Sequence, residues 1–210
     1  MAADTYAELC VVDAAILAKI PKGLDLIQAA SLPLVTTTGN QLISATGIKA
    51  DQTVLVVAGN VGRSAVFTAK QRGATVIAGM LKTQMDEAKT IGADQVLATD
   101  DDDAIATLPM LDVVADIVNG KTAEKLIAKV KPGGVFASVL GAPRNASHYT
   151  FVKVVPVVAK PDAKTLQFMA EAVRDGKLAI PISRELPLSK AAEAQAAAEE
   201  GGVGKVLLVA

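Results

Sequence analysis

From Pro33 onward the chain alternates short aliphatic runs with helix-like stretches, at a spacing too regular for a series of hairpins. Strand candidates are Thr53–Val57, Thr75–Ala78, Gln95–Ala98, Asp112–Val118, Gly134–Leu140 and Phe151–Val158. Helix candidates lie between them at Gly62–Arg72, Met85–Ile91, Ala104–Leu108 and Thr122–Val130. Crossovers between parallel strands are right-handed, so this alternation predicts an α/β fold built on a doubly wound parallel sheet. Composition agrees: 51% of residues are hydrophobic but only 3% aromatic, which leaves Ala, Val, Leu and Ile to fill buried strands and the helices that cover them. At 210 residues the chain is long enough to bury a sizeable core.

Local chemistry sets the boundaries. Gly73 and Gly92 fall where helices want a left-handed C-terminal residue, and Thr83 with Asp86 resembles a variant capping box. "KPGG" at 131–134 is expected to end a helix and turn into the next strand. The acidic run Asp100–Asp103 reads as a solvated turn that favours the helix after it, and it is given no function. The two ends behave differently. Residues 4–20 contain two extended segments, and the last stretch contains an Ala-rich helix, a Gly-Gly stop and a final strand. Both ends read as pieces of a second structural unit.

Several functions are disfavoured. With 21 basic and 22 acidic residues, the net charge of −1 gives no electrostatic reason for a nucleic-acid partner. Cys10 is the single cysteine, so no intrachain disulfide can form; its strand-like context favours a buried structural thiol over a nucleophile. One His and one Cys cannot assemble a His/Cys zinc site, so no metal is expected. No basic segment precedes an apolar core at the start, and no uncharged run reaches transmembrane length. A soluble, cytoplasmic protein with no membrane partner is expected.

The stretch "VVAGNVGRSAV" at 56–66 carries the most specific chemistry. In a dinucleotide fold the corner after the first strand holds three glycines, for the turn, for close approach of the pyrophosphate and for helix–strand packing. Gly59 and Gly62 supply the second and third, while the first position holds Val57 or has been lost to a shorter loop. The backbone amides of Asn60, Val61 and Gly62 would then face the pyrophosphate from a helix N-terminus. About twenty residues on, an NAD site wants an acidic residue. Gly79 stands there and Lys82 follows, so NADP(H) is favoured over NAD(H); the plain alternative for Lys82 is a solvated residue beside a helix start. "YTFVK", Tyr149–Lys153, has the Tyr-x-x-x-Lys spacing of short-chain dehydrogenases, but it runs into "VKVVPVVAK", a β-branched edge strand broken by Pro156. The short-chain reading is therefore set aside.

Together these stretches resemble the medium-chain dehydrogenase/reductase superfamily, in particular its zinc-independent quinone-oxidoreductase-like and alcohol-dehydrogenase-like members. "TYAELCVVDAAILAKIPKGLDLIQAASLPLVTTTGNQLI" resembles the end of that family's catalytic domain and the passage into its cofactor domain. "VLVVAGNVGRSAVFTAKQRGATVIA" is similar to its nucleotide corner, "IGADQVLATD" to its third strand and "LDVVADIVNG" to its fourth, while "KPGGVFASVLGAP" and "GKVLLVA" complete the set.

The resemblance implies a Rossmann-type cofactor domain over residues 33–160. It implies remnants of a GroES-like catalytic domain at both termini: residues 1–32, and residues 161–210, whose helices and strand complete the junction. It also implies NADP(H)-dependent hydride transfer to a quinone, an enone or a carbonyl substrate. Thr38, Val118 and Leu140–Gly141 would lie near the nicotinamide, Asn60–Gly62 at the pyrophosphate and Lys82 at the 2′-phosphate. The alternatives are helix capping for Thr38 and plain core packing for Val118 and Leu140. No catalytic acid is named; Tyr149 and Ser138 are candidate donors for which structural roles are favoured. Relatives commonly pair through the edge strand of the cofactor sheet, here Phe151–Val158, so a homodimer is expected. A catalytically incomplete nucleotide-binding or scaffold module remains the competing expectation.

Overall fold

In the computed structural model, which describes residues 6–57 and 59–210, the alternation closes into a six-stranded sheet, every neighbouring pair of which is parallel. Two short helices lead in, α1 (Leu26–Ala30) and α2 (Pro33–Thr46). Then follow β1 (Thr53–Val57), α3 (Asn60–Gln71), β2 (Thr75–Met80), a 3-10 turn at Lys82–Glu87 running into α4 (Ala88–Ile91), β3 (Gln95–Ala98), α5 (Asp102–Thr107) and β4 (Leu111–Asp116). The chain continues through α6 (Gly120–Ile127), β5 (Val130–Ser138), β6 (Lys153–Pro156), α7 (Ala163–Arg174), β7 (Ile182–Pro187), α8 (Ala191–Glu199) and β8 (Lys205–Val209). The large sheet runs β3-β2-β1-β4-β5-β6. Strand order reverses between β1 and β4, which opens a crevice at the carboxyl ends of these two strands.

The strands are buried on both faces, and their alternation assigns each residue to a layer. Val54, Val56, Val76, Ala78, Val113 and Ala115 pack with Leu42, Ile43 and Val66 on one side. Leu55, Val57, Ile77 and Val114 pack with Leu126, Ile127 and Phe136 on the other. Gly73 and Gly92 take left-handed φ values of 75° and 77°, as their places after helices require.

The chain divides into two units, the described residues up to Val35 with Pro161–Ala210, and Thr36–Lys160. The second holds the large sheet. In the first, β7 and β8 pair in parallel, and α8 buries Ala194 and Ala197.

Several expectations shift. "KPGG" does not precede β5 but lies inside it as a bulge: Leu111 pairs with Val130 and Val113 with Val135, so the intervening residues are looped out around Gly133 at φ 78°. The edge strand is shorter than Phe151–Val158, because Phe151 and Val152 still belong to the preceding turn. Within residues 4–20, Asp4 and Thr5 lie outside the described residues; the rest form no strand but a 3-10 turn at Ala14–Ile16 capped by Asp13. Cys10 is exposed rather than buried, since its segment joins no sheet.

Candidate functional site

The hydrophobic run of β1 ends at Val57, and α3 begins two residues beyond Ala58 at Asn60. Gly59 occupies the N-cap and provides no side-chain cap, so the first turn of α3 offers its amides outward. Arg63 N donates to Gly59 O at 2.9 Å, which starts the helix there. A Cβ added at Gly59 would lie 3.5 Å from Ile117 Cδ1, an ordinary contact. Packing within the protein therefore does not demand glycine at this position. What the missing side chain leaves is clear approach to the helix end, the property a pyrophosphate needs.

Helix α2 is held against this turn by a second glycine. A Cβ on Gly39 would fall 2.1 Å from Ser64 Oγ, 2.5 Å from Val61 O and 2.7 Å from Ala65 N. The close crossing carries Thr38, the preceding residue of α2, to the same end of the sheet. Thr38 is buried in the helix interior, so the capping role weighed for it does not apply.

Across the crevice, β4 and β5 end in register at Asp116 and Ser138. Both are fully buried. Ser138 Oγ donates to Asp116 Oδ2 at 2.7 Å, and Asp116 also accepts from Val118 N at 3.2 Å and Asn119 N at 3.1 Å. Leu140 N donates to Ser138 Oγ at 3.1 Å, and Asn119 Nδ2 to Leu140 O at 3.0 Å. Two of these hydrogen bonds, Ser138 to Asp116 and Asn119 to Leu140, join the loops after β4 and β5, and the other three brace each loop on its own strand end, which sets the segment of Val118 and Asn119 beside Leu140. Val118 is 47% and Leu140 57% exposed, so neither is a core residue. Open space faces Gly141 at φ 92°. Ser138 Oγ is committed to this network, and the Tyr149 ring packs edge-on to Phe151, 6.0 Å between centroids. Lys153 starts β6, so no helix pairs it with Tyr149.

Gly79 sits at the end of β2, paired with Val57 of β1. A Cβ there would meet Thr99 Cγ2 at 2.7 Å, so a side chain has no room unless Thr99 yields. Lys82 follows, 59% exposed, its Nζ 3.0 Å from Asp101 Oδ2 and its backbone N donating to Asp100 Oδ1 at 2.9 Å. The Asp101 carboxylate holds the Lys82 ammonium above its ordinary pKa, first by the hydrogen bond and then by its charge. The 3-10 turn that begins at Lys82 is anchored at its far end by the buried Arg63 of α3, whose Nη2 reaches Glu87 Oε2 at 2.7 Å and Nη1 reaches Thr90 Oγ1 at 3.0 Å.

The glycine corner, Thr38, Val118 and Leu140–Gly141 thus gather at one end of the sheet. Gly39, Asp116, Asn119 and Arg63, which hold them there, were not singled out as site residues from sequence. Asp116 did leave a signal, an acid at the end of the aliphatic "LDVVAD". Among the described residues no group of His, Cys, Asp and Glu is arranged to hold a metal ion, and no helix is long and apolar enough to cross a membrane.

A model of the family described as zinc-binding dehydrogenase matches residues 91–208. The chain belongs to this family, within the medium-chain dehydrogenase/reductase superfamily. Over 96% of its length the chain is 28% identical to a chloroplast envelope quinone oxidoreductase homolog of Arabidopsis thaliana, of which it covers 68%. Over 66% of its length it is 34% identical to an NADPH-dependent alkenal/one oxidoreductase of the same plant, covering 36% of that protein. A solved NAD-dependent alcohol dehydrogenase superposes with a TM-score of 0.83 at 29% identity, over 98% of this chain and 65% of that one. The chain therefore spans about two thirds of the quinone oxidoreductase homolog and of the alcohol dehydrogenase, and the Rossmann-type sheet lies within the shared part.

Proposed function

We propose that the chain binds NADP(H) and serves a two-electron reduction of a quinone, an enone or a carbonyl compound. The observation that carries this reading is the uncapped N-terminus of α3 at Gly59, facing the crevice between β1 and β4. When bound, a dihydronicotinamide supplies the hydride, and one proton taken from solvent completes the reduction of the acceptor. The chain's own residues bind and orient. The amides of Asn60, Val61 and Gly62 meet the pyrophosphate, and the apolar, exposed Val118 and Leu140 offer a surface to the nicotinamide end. The Asp116–Ser138–Asn119 network fixes the loops that carry these two residues.

Gly79 supports the phosphorylated cofactor, since it leaves no carboxylate at the position where an NAD site wants one for the ribose hydroxyls, and Lys82 is a cation nearby. The name of the NADPH-dependent alkenal/one oxidoreductase points the same way. A second reading, a nucleotide-binding module without chemistry of its own, draws support from one observation. The hydroxyl of the candidate donor Ser138 is already given to Asp116.

Titration with NADPH and then with quinone and enone acceptors separates the two. Saturable binding with turnover above that of free NADPH supports the reductase, and binding without turnover supports the module. No binding at millimolar NADPH removes both. Pairing of two copies through β6 is proposed alongside, and a monomer mass in light scattering at micromolar concentration would remove it.

A further inference from the structure

We infer that Asp101 is a specificity residue, a latch on Lys82 that lowers the affinity of the site for NADPH while leaving NADH almost untouched. The inference rests on the NADP(H) reading above. Its ground is a division of labour within one carboxylate. Asp101 Oδ1 accepts from Asp103 N at 3.1 Å and Ala104 N at 3.2 Å, capping α5, while Oδ2 lies 3.0 Å from Lys82 Nζ. The cap fixes the carboxylate on the helix end, so it cannot withdraw when a ligand arrives.

The backbone of Lys82 is fixed as well. Its N–H is bound by Asp100, and the far end of its turn is tied to Arg63 through Glu87. The pair therefore opens by rotation of the Lys82 side chain alone. Asp102 takes no part, being paired with Lys125.

A 2′-phosphate that recruits Lys82 must take its ammonium from Asp101 and then remain near two carboxylates, Asp100 and Asp101, of its own sign. NADH, which carries a hydroxyl in that place, meets neither obstacle. Asp101→Asn is the informative change, because asparagine caps a helix as well as aspartate does and α5 is preserved. Removing the competitor for an exposed cation tightens NADPH binding by about fivefold, since the apparent affinity rises with the fraction of Lys82 that is free.

The experiment measures Kd for NADPH and NADH by calorimetry on the wild-type chain, Asp101→Asn, Lys82→Ala and the double variant. The expected result is a tighter NADPH Kd in Asp101→Asn with NADH changed less than about twofold, and a clearly smaller gain once Lys82 is absent. No gain in NADPH affinity, equal gains for both cofactors, or a gain undiminished by Lys82→Ala would overturn the latch while leaving NADP(H) binding intact. A wild-type chain that binds NADH but not NADPH, and stays so in Asp101→Asn, overturns the latch together with the NADP(H) reading. Binding of neither cofactor by any variant overturns both and the nucleotide site itself.

Discussion

Gly39→Ala tests the crossing that sets the corner. In an isolated helix the change would stabilise by up to about 1 kcal/mol, because glycine is a poor helix former. Here the new methyl lies 2.1 Å from Ser64 Oγ, 2.5 Å from Val61 O and 2.7 Å from Ala65 N. A hydroxyl can rotate, but the two backbone atoms belong to α3 and move only with it. Overpacking of this kind costs about 1–3 kcal/mol, and contacts with backbone place Gly39→Ala at the upper end. The net loss is about 2 kcal/mol, or about 4–8 °C in Tm for a chain of this size. Thermal unfolding followed by circular dichroism reads the stability, and NADPH titration reads the corner, whose first turn must shift. Ser64→Ala introduced with Gly39→Ala removes only the nearest contact, so it restores part of the loss. An unchanged or higher Tm for Gly39→Ala would refute the reasoning, since propensity would then outweigh the crossing.

Three further changes probe the rest of the site. Asp116→Ala strips the acceptor from Ser138 Oγ and from the amides of Val118 and Asn119, all at a buried position; a loss of about 2–4 kcal/mol in urea unfolding is expected, and a midpoint equal to wild type would show the network to be dispensable. Gly79→Asp lowers the Tm without improving NADH binding, because Thr99 Cγ2 fills the space, while Thr99→Ser alongside it recovers stability; a gain in NADH affinity from the single change alone contradicts this. The Asp94 carboxyl is held below the ordinary carboxylate range, first by the hydrogen bond from Lys70 and then by the one from Val76 N–H. A depressed folded pKa gives stability that is whole above the unfolded value of about 3.9 and fades as the pH falls through the folded value. Urea midpoints for wild type should therefore drop more between pH 6 and pH 3 than those of Asp94→Asn, and parallel drops would show that the pair adds nothing.

The doubly wound sheet was legible because buried parallel strands must be aliphatic and must be separated by helices long enough to cross over. Thr53–Val57 and Gln95–Ala98 were readable to the residue. Strand ends that depend on pairing were not: β5 begins four residues earlier than "GVFASVL" suggests, because Val130 finds Leu111 across a bulge that no local pattern encodes. Residues 6–13 show the converse, an alternating run that makes no strand among the described residues. At the site, glycines announced the corner because their freedom is visible in the letters. The pairing of Lys82 with Asp101 was not visible, since it depends on β2 and β3 lying side by side and ending together. The tie from Asn119 to Leu140 likewise spans a crossover.

Backbone amide chemical shifts of the isotopically labelled chain, followed as NADPH is added, test the central claim most directly. If the crevice between β1 and β4 is the dinucleotide site, the shifts cluster on Asn60, Val61 and Gly62, with Thr38, Val118, Leu140 and Gly141 moving at the same concentrations. Shifts confined to other faces of the chain, or none at millimolar NADPH, would contradict it.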